Sequence, residues 1–99
     1  MIERNVKDHE EINTFLRDEK ELFFTNLIIA IQTAWEDGYS IVDIAKFHIT
    51  ETGTTVDISI GNEDWRQSLY LGLYYFEEVE NYEYCEEIKA IITEMYGDE

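Results

Sequence analysis

The sequence predicts an α+β fold in a single domain, residues 1–99, made of helices and one β-hairpin. A change in the hydrophobic period is the first observation behind this prediction. Apolar residues recur at helical spacing before residue 38 and after residue 61, and they alternate with polar residues in between. The second observation is size, because 99 residues of which 44% are hydrophobic can build one core and little more.

The first predicted element is helical and covers residues 8–37. Glu19 lies on its apolar stripe inside the polar run RDEKE, so the segment is either one long helix or two helices joined near residue 19. The continuity of the stripe favours one helix with a weak middle, and Gly38 is predicted to cap its end in a left-handed conformation. The apolar positions that define the stripe are Ile12, Leu16, Phe23, Leu27, Ala30 and Ala34.

The second predicted element is an antiparallel β-hairpin over residues 42–60. Apolar and polar residues alternate on both sides of a turn at Thr52-Gly53, which is typical of two strands with one buried face. A loop centred on this turn brings all the apolar residues to the same face of the hairpin. The pairs that it predicts are Ile49 with Val56, Phe47 with Ile58, and Ala45 with Ile60.

Two helices are predicted in the remainder of the chain, at residues 62–79 and 82–96. Asn62 is a suitable N-cap for the first, and Gly72 in its interior predicts that another backbone packs closely there. Asn81 is a suitable N-cap for the second, so the two helices form a helical hairpin that turns at Glu80-Asn81. Their buried faces are predicted to carry Trp65, Leu69, Leu73 and Phe76 in the first helix, and Tyr82, Cys85, Ile88, Ile92 and Met95 in the second.

Residues 73–95 resemble the UVR motif, a two-helix hairpin found in a nucleotide-excision-repair helicase subunit and in bacterial stress-protease regulators. The resemblance rests on Leu73, Phe76, Glu80-Asn81, Tyr82, Glu83, Cys85, Ile88-Lys89 and Ile92. The sequence departs from the motif at Glu86, where a small residue is usual, and at Ile88-Lys89, where Leu-Arg is usual. The resemblance implies a protein-docking hairpin that is sealed by Tyr82, Cys85, Ile88 and Ile92.

The formal net charge is -16, from 23 acidic and 7 basic residues. Such a chain repels nucleic acid and anionic membranes, because phosphate binding requires Lys and Arg, so direct binding to either is not expected. The charge far exceeds the magnitude of about 2 to 8 that is usual for a small domain. A basic protein partner, such as the nucleic-acid groove of an enzyme, is the simplest functional explanation.

A cytoplasmic location is expected, because a single cysteine cannot form an internal disulfide and the charged N-terminus does not resemble a signal peptide. No run of apolar residues is long enough to cross a bilayer. Neither a cofactor nor a metal is predicted, since phosphate-binding loops, paired cysteines and calcium-loop spacing are all absent from the sequence. An enzyme is not expected either. The one candidate dyad is His48 opposite Asp57 on the polar face of the hairpin, and a His-Asp pair across exposed strands is more often a weak surface interaction.

The segment EEVENYEYCEEIK, residues 77–89, is the candidate functional site. Its glutamates have three interpretations: a solvated surface, a surface for a basic partner, or a divalent-cation site. We expect a small acidic inhibitor that imitates nucleic-acid phosphates, of the kind found among phage-encoded anti-defence proteins and nuclease immunity proteins. The alternative is an adaptor or homodimer that docks through the apolar and tyrosine-rich stretch LYLGLYYF, residues 69–76. The predicted partner-binding residues are Glu77, Glu78, Glu80, Glu83, Glu86 and Glu87, with Tyr74, Tyr75 and Tyr84 as anchors.

Overall fold

The computed structural model describes residues 1–97 and confirms the α+β class, with four α-helices and a three-stranded mixed sheet. Residues 98 and 99 of the predicted domain lie outside the described part. The strands and helices, in chain order, are β1 (Ile2–Val6), α1 (His9–Asp18), α2 (Lys20–Asp37), β2 (Ile41–Ile49), β3 (Thr54–Gly61), α3 (Trp65–Glu78) and α4 (Tyr82–Tyr96).

The sheet is more than the predicted hairpin, because β1 adds a third strand parallel to β2. Helices α1 and α2 form the crossover between these two parallel strands. Within β1 only the two ends, Ile2 and Val6, are buried, and the three residues between them are exposed. This spacing does not alternate, which is why the sequence did not predict a strand.

The predicted register of the hairpin is wrong by two residues. Ile49 lies opposite Thr54, Phe47 opposite Val56, and Ala45 opposite Ile58. The loop therefore covers residues 50–53, and Gly53 closes it with φ of 70° and an N–H that donates to the Ile49 carbonyl at 2.8 Å. A shift by two residues keeps the side chains of the predicted pairs on their predicted face, so the hydrophobic pattern could not distinguish the two registers.

A β-bulge interrupts β2 between Asp43 and Ala45. The extra residue, Ile44, is fully buried, and so is Ala45 beside it. Strict alternation would have placed one of these two side chains on the open face of the sheet, so the bulge lets both contribute to the core.

The favoured prediction of one long N-terminal helix is also wrong, and the alternative of two helices joined near residue 19 is confirmed, since Glu19 separates α1 from α2. This residue has φ of -118° and ψ of 45°, and its N–H ends α1 by donating to the Phe15 carbonyl at 2.8 Å. The helices separate because they cover different parts of the core. Phe15 of α1 packs edge-on against Phe47 of the sheet at 5.4 Å, whereas Leu27, Ile28 and Ile31 of α2 pack with α3 and α4.

Helix α3 starts later than predicted, because residues 62–64 form a single 3-10 turn and Asn62 does not cap the α-helix. Its predicted buried face is confirmed, since Trp65, Leu69, Leu73 and Phe76 are all buried. Gly72 packs against a side chain and not against a backbone. A Cβ at this position would lie 2.9 Å from Cδ1 of Ile28, so the absence of a side chain at Gly72 leaves room for Ile28 between α2 and α3.

Candidate protein-binding site

The tip of the helical hairpin is a tight turn with a left-handed residue at its centre. Helix α3 ends at Val79, and Glu80 follows with φ of 61°. The N–H of Asn81 donates to the Phe76 carbonyl at 2.9 Å, and the N–H of Glu80 donates to the Glu77 carbonyl at 3.0 Å. This pair of hydrogen bonds is a Schellman motif, in which the left-handed position is usually glycine.

Helix α4 begins immediately after this turn. The Asn81 side chain accepts a hydrogen bond from the Tyr84 N–H at 3.2 Å, and its carbonyl accepts one from the Cys85 N–H at 3.1 Å. Asn81 is therefore the N-cap that the sequence predicted. Val79 caps the end of α3 and Asn81 caps the start of α4, so Glu80 is the one residue between the two caps.

All six predicted glutamates of this segment are exposed. One of them forms an ion pair within residues 1–97, because the Lys89 Nζ atom lies 3.4 Å from a carboxylate oxygen of Glu86. The other five carboxylates have no ion pair within residues 1–97. Three of them, Glu77, Glu78 and Glu80, lie at the C-terminal end of α3, where the helix dipole also disfavours negative charge.

The three predicted tyrosines are placed differently from one another. Tyr74 is exposed on the outer face of α3. Tyr75 is half-buried and stacks on Phe24 of α2 with ring centroids 5.3 Å apart. Tyr84 is half-buried and meets Phe76 edge-on at 4.6 Å, and burial, followed by the charge of Glu87, raises the pKa of its phenol. Tyr75 and Tyr84 therefore hold the hairpin onto the core, and Tyr74 is the one whose ring is largely free.

Two apolar side chains at the tip were missed as candidates from the sequence. Tyr82 is 60% exposed and Val79 is 51% exposed, on either side of the turn. Tyr82 does not seal the hairpin, although both the helical spacing and the UVR resemblance placed it there, and Met95 is only half-buried. Cys85, Ile88 and Ile92 are buried as predicted. The helical spacing misplaced Tyr82, because this residue lies three positions before Cys85 on the predicted stripe but is the first residue of α4, beside the turn. The tip thus offers an apolar surface among carboxylates.

Cys85 is part of the core, as its position on the buried stripe predicted. Its side chain is 1% exposed, and its sulfur lies 3.9 Å from the Leu73 carbonyl oxygen. Burial, together with the charge of Glu77, raises the pKa of the Cys85 thiol. The thiol therefore stays protonated and joins α4 to α3 by packing.

His48 does not face Asp57, so the dyad considered in the sequence is corrected. Asp57 lies opposite Lys46, and His48 lies opposite Thr55. The His48 Nε2 atom is instead 2.6 Å from the Glu3 carboxylate on β1, and this hydrogen bond lowers the pKa of Glu3. The pair lies on the open face of the sheet and joins the two parallel strands.

Residues 1–97 contain neither a cluster of metal-ligating side chains nor a helix suited to span a membrane. No cluster of three or more His, Cys, Asp or Glu side chains in that range has the geometry to hold a metal ion. Across the same range, none of the helices combines the length and apolar character needed to cross a membrane.

Comparison with known proteins found no matching family model, no similar curated protein and no similar solved structure.

Proposed function

We propose that this protein binds a basic protein surface through the tip of its α3–α4 hairpin and blocks the nucleic-acid groove of a nuclease or another nucleic-acid enzyme. The conformation of Glu80 is the observation that supports this proposal best. A side chain in the left-handed region costs roughly 1–2 kcal/mol, and glycine would avoid this cost at the same position. Glu80 also adds negative charge beside Glu77 and Glu78 at the negative end of α3.

The stability of the turn does not explain why residue 80 is glutamate, because glycine would be more stable there. Strained residues persist where the surrounding structure holds them and where the strained position serves a function. Here the residue in the left-handed conformation is an exposed glutamate, and it lies in the turn between the exposed side chains of Val79 and Tyr82. Carboxylates at this point can take the positions of phosphates in a basic groove, while an exposed tyrosine supplies contact area at low entropic cost.

Charge reversal at the tip tests the proposal. In the test variant Glu77, Glu80 and Glu83 are replaced by Lys. In the matched control Glu36, Glu51 and Glu94, which are also exposed, are replaced by Lys, so both variants have the same net charge. Each protein is immobilised and exposed to lysate of the organism that encodes the chain, and bound proteins are released by rising salt or by competing DNA and RNA.

The expected result is capture of a basic nucleic-acid enzyme by the wild type and the control variant, with release by salt and by nucleic acid. The tip variant should fail to capture it, because attraction becomes repulsion. Equal loss in both variants would show that total charge matters and the tip does not. If the captured partner resists salt and its binding is lost in Leu71→Ala and Tyr74→Ala, the binding surface would be the outer face of α3, as in an adaptor or homodimer.

A further inference from the structure

A groove between α2 and the start of β2 forms a second exposed apolar surface. Its volume is about 480 Å³, and one side is a stripe along α2 that includes Ile29, Ala30 and Thr33. The other side is formed by Met1, Tyr39 and residues 41–43. Ile29, Tyr39 and Ile41 are 55%, 67% and 64% exposed, so large apolar side chains line the groove without being covered.

The groove lies beside an edge of β2 that no strand within residues 1–97 covers. Strand β1 begins opposite Ala45, with Ile2 as its first paired residue. Residues 41–43 pair with β3 on one side, and on the other side they have no strand partner within residues 1–97. This open edge is about 10 Å long at roughly 3.3 Å per residue, and it continues the line of β1. Unpaired edges of this kind accept an extended peptide through main-chain hydrogen bonds.

The side-chain charge around the groove is negative. Asp37 and Asp43 line the groove, and the other described residues that line it include no Lys, Arg or His. Asp37 is also the last residue of α2, where the helix dipole adds partial negative charge. The Ser59 hydroxyl donates to Asp43 at 2.6 Å and fixes this carboxylate on the open face of the sheet.

We propose that this groove binds an extended segment of a partner protein in which apolar and basic residues alternate. Such a segment adds a short strand along residues 41–43. Its apolar side chains turn towards Ile29 and Ala30 of α2, and its basic side chains turn towards Asp43 on the opposite face. A second copy of this chain is disfavoured as the occupant, because each copy carries a net charge of -16.

The proposal concerns a different surface from the hairpin tip, with which the groove shares no residue. The test uses the ¹⁵N-labelled full chain and two capped hexapeptides, Lys-Val-Lys-Val-Lys-Val and Lys-Lys-Lys-Val-Val-Val. The peptides have the same composition and charge, but only the first alternates. Amide chemical shifts report where each peptide binds and how tightly.

The expected result is that the alternating peptide shifts the amides of Ile41, Val42 and Asp43 and binds about tenfold more tightly than the block peptide. Ile29→Lys should abolish this preference. Leu71→Lys, at a 50% exposed position on α3, makes the same change of charge and should leave the preference intact. The variant in which Glu77, Glu80 and Glu83 are replaced by Lys should also retain the preference for the alternating peptide, which separates this proposal from the proposed function.

Three results would overturn the inference. One is equal affinity for the two peptides, and another is a pattern of shifts centred on the tip at residues 77–83, since either would indicate unspecific attraction to charge. The third is sedimentation of the peptide-free chain as a dimer that Ile29→Lys dissociates, because the groove would then be occupied by a second copy.

Discussion

At the scale of single residues, Glu80 is a position where stability and the proposed function favour different side chains. Glu80→Gly should raise the free energy of unfolding by about 0.5–1 kcal/mol, because glycine adopts positive φ without a steric cost, although it also gains freedom in the unfolded chain. Urea unfolding followed by circular dichroism measures the change. If the tip binds a basic partner, the same variant should lose affinity.

Glu78→Gly is the matched control for Glu80→Gly. It removes the same charge from the same turn, but residue 78 has helical geometry at the end of α3. Glycine in a helix costs up to about 1 kcal/mol relative to good helix formers, so this variant should be less stable than the wild type. Stabilisation by both variants would mean that relief of charge repulsion, and not backbone conformation, is responsible.

Cys85 makes stability depend on pH in the alkaline range. Its thiol pKa is raised by burial, so the folded state keeps a proton that the unfolded chain loses. The resulting stabilisation is fully present below 9.0, the ordinary thiol pKa, and it is lost as the pH rises above that value. In Cys85→Ala the free energy of unfolding should therefore fall less steeply between pH 8 and pH 10 than in the wild type. Parallel curves from urea titrations would contradict this assignment.

At the scale of elements, the α2–α3 contact is set by the fit of Ile28 against Gly72. Gly72→Ala should gain up to about 1 kcal/mol of helix propensity and lose about 1–3 kcal/mol to overpacking, since the new Cβ would lie 2.9 Å from Cδ1 of Ile28. Ile28→Val removes that atom. In the Ile28→Val background Gly72→Ala should therefore become neutral or stabilising, with a favourable coupling energy of about 1 kcal/mol in a double-mutant cycle. Additive effects would show that the helices move apart instead.

The elements also show which parts of the fold a sequence can predict. The helical hairpin and β2–β3 were predicted because their periodicity and their turn or cap residues agree, as at Asn81. The break at Glu19 was predicted only as the less favoured alternative, since its cause is that α1 and α2 cover different parts of the core, which a stripe on one segment does not reveal. Strand β1 was missed for a similar reason, because its pairing with β2 joins residues more than 40 positions apart.

At the scale of the whole molecule, the composition predicted an acidic surface but not where on that surface the hairpin tip and the groove lie. The exposure of the glutamates follows from helical spacing, whereas the left-handed conformation of Glu80 follows from the hydrogen bonds of the turn. The groove beside β2 could not be predicted at all. Its lining brings Met1 together with α2 and the start of β2, and the register between two distant strands decides this.

The net charge of -16 should make stability depend on salt. Like charges repel one another in the compact state, and raising NaCl from 10 to 200 mM shortens the screening length from about 30 Å to below 10 Å. The melting temperature of the wild type should rise by roughly 4 to 8 °C for each 1 kcal/mol of repulsion removed, and most of the rise should occur below 200 mM.

The two triple variants then show where this repulsion is located. Both reduce the net charge from -16 to -10, because each of three Glu→Lys changes adds two positive charges. If carboxylates crowd at the tip, reversing Glu77, Glu80 and Glu83 should remove more of the salt dependence than reversing Glu36, Glu51 and Glu94. Equal salt dependence in the two variants would instead describe an evenly charged surface, on which the tip has no special electrostatic role and is a weaker candidate for binding a basic groove.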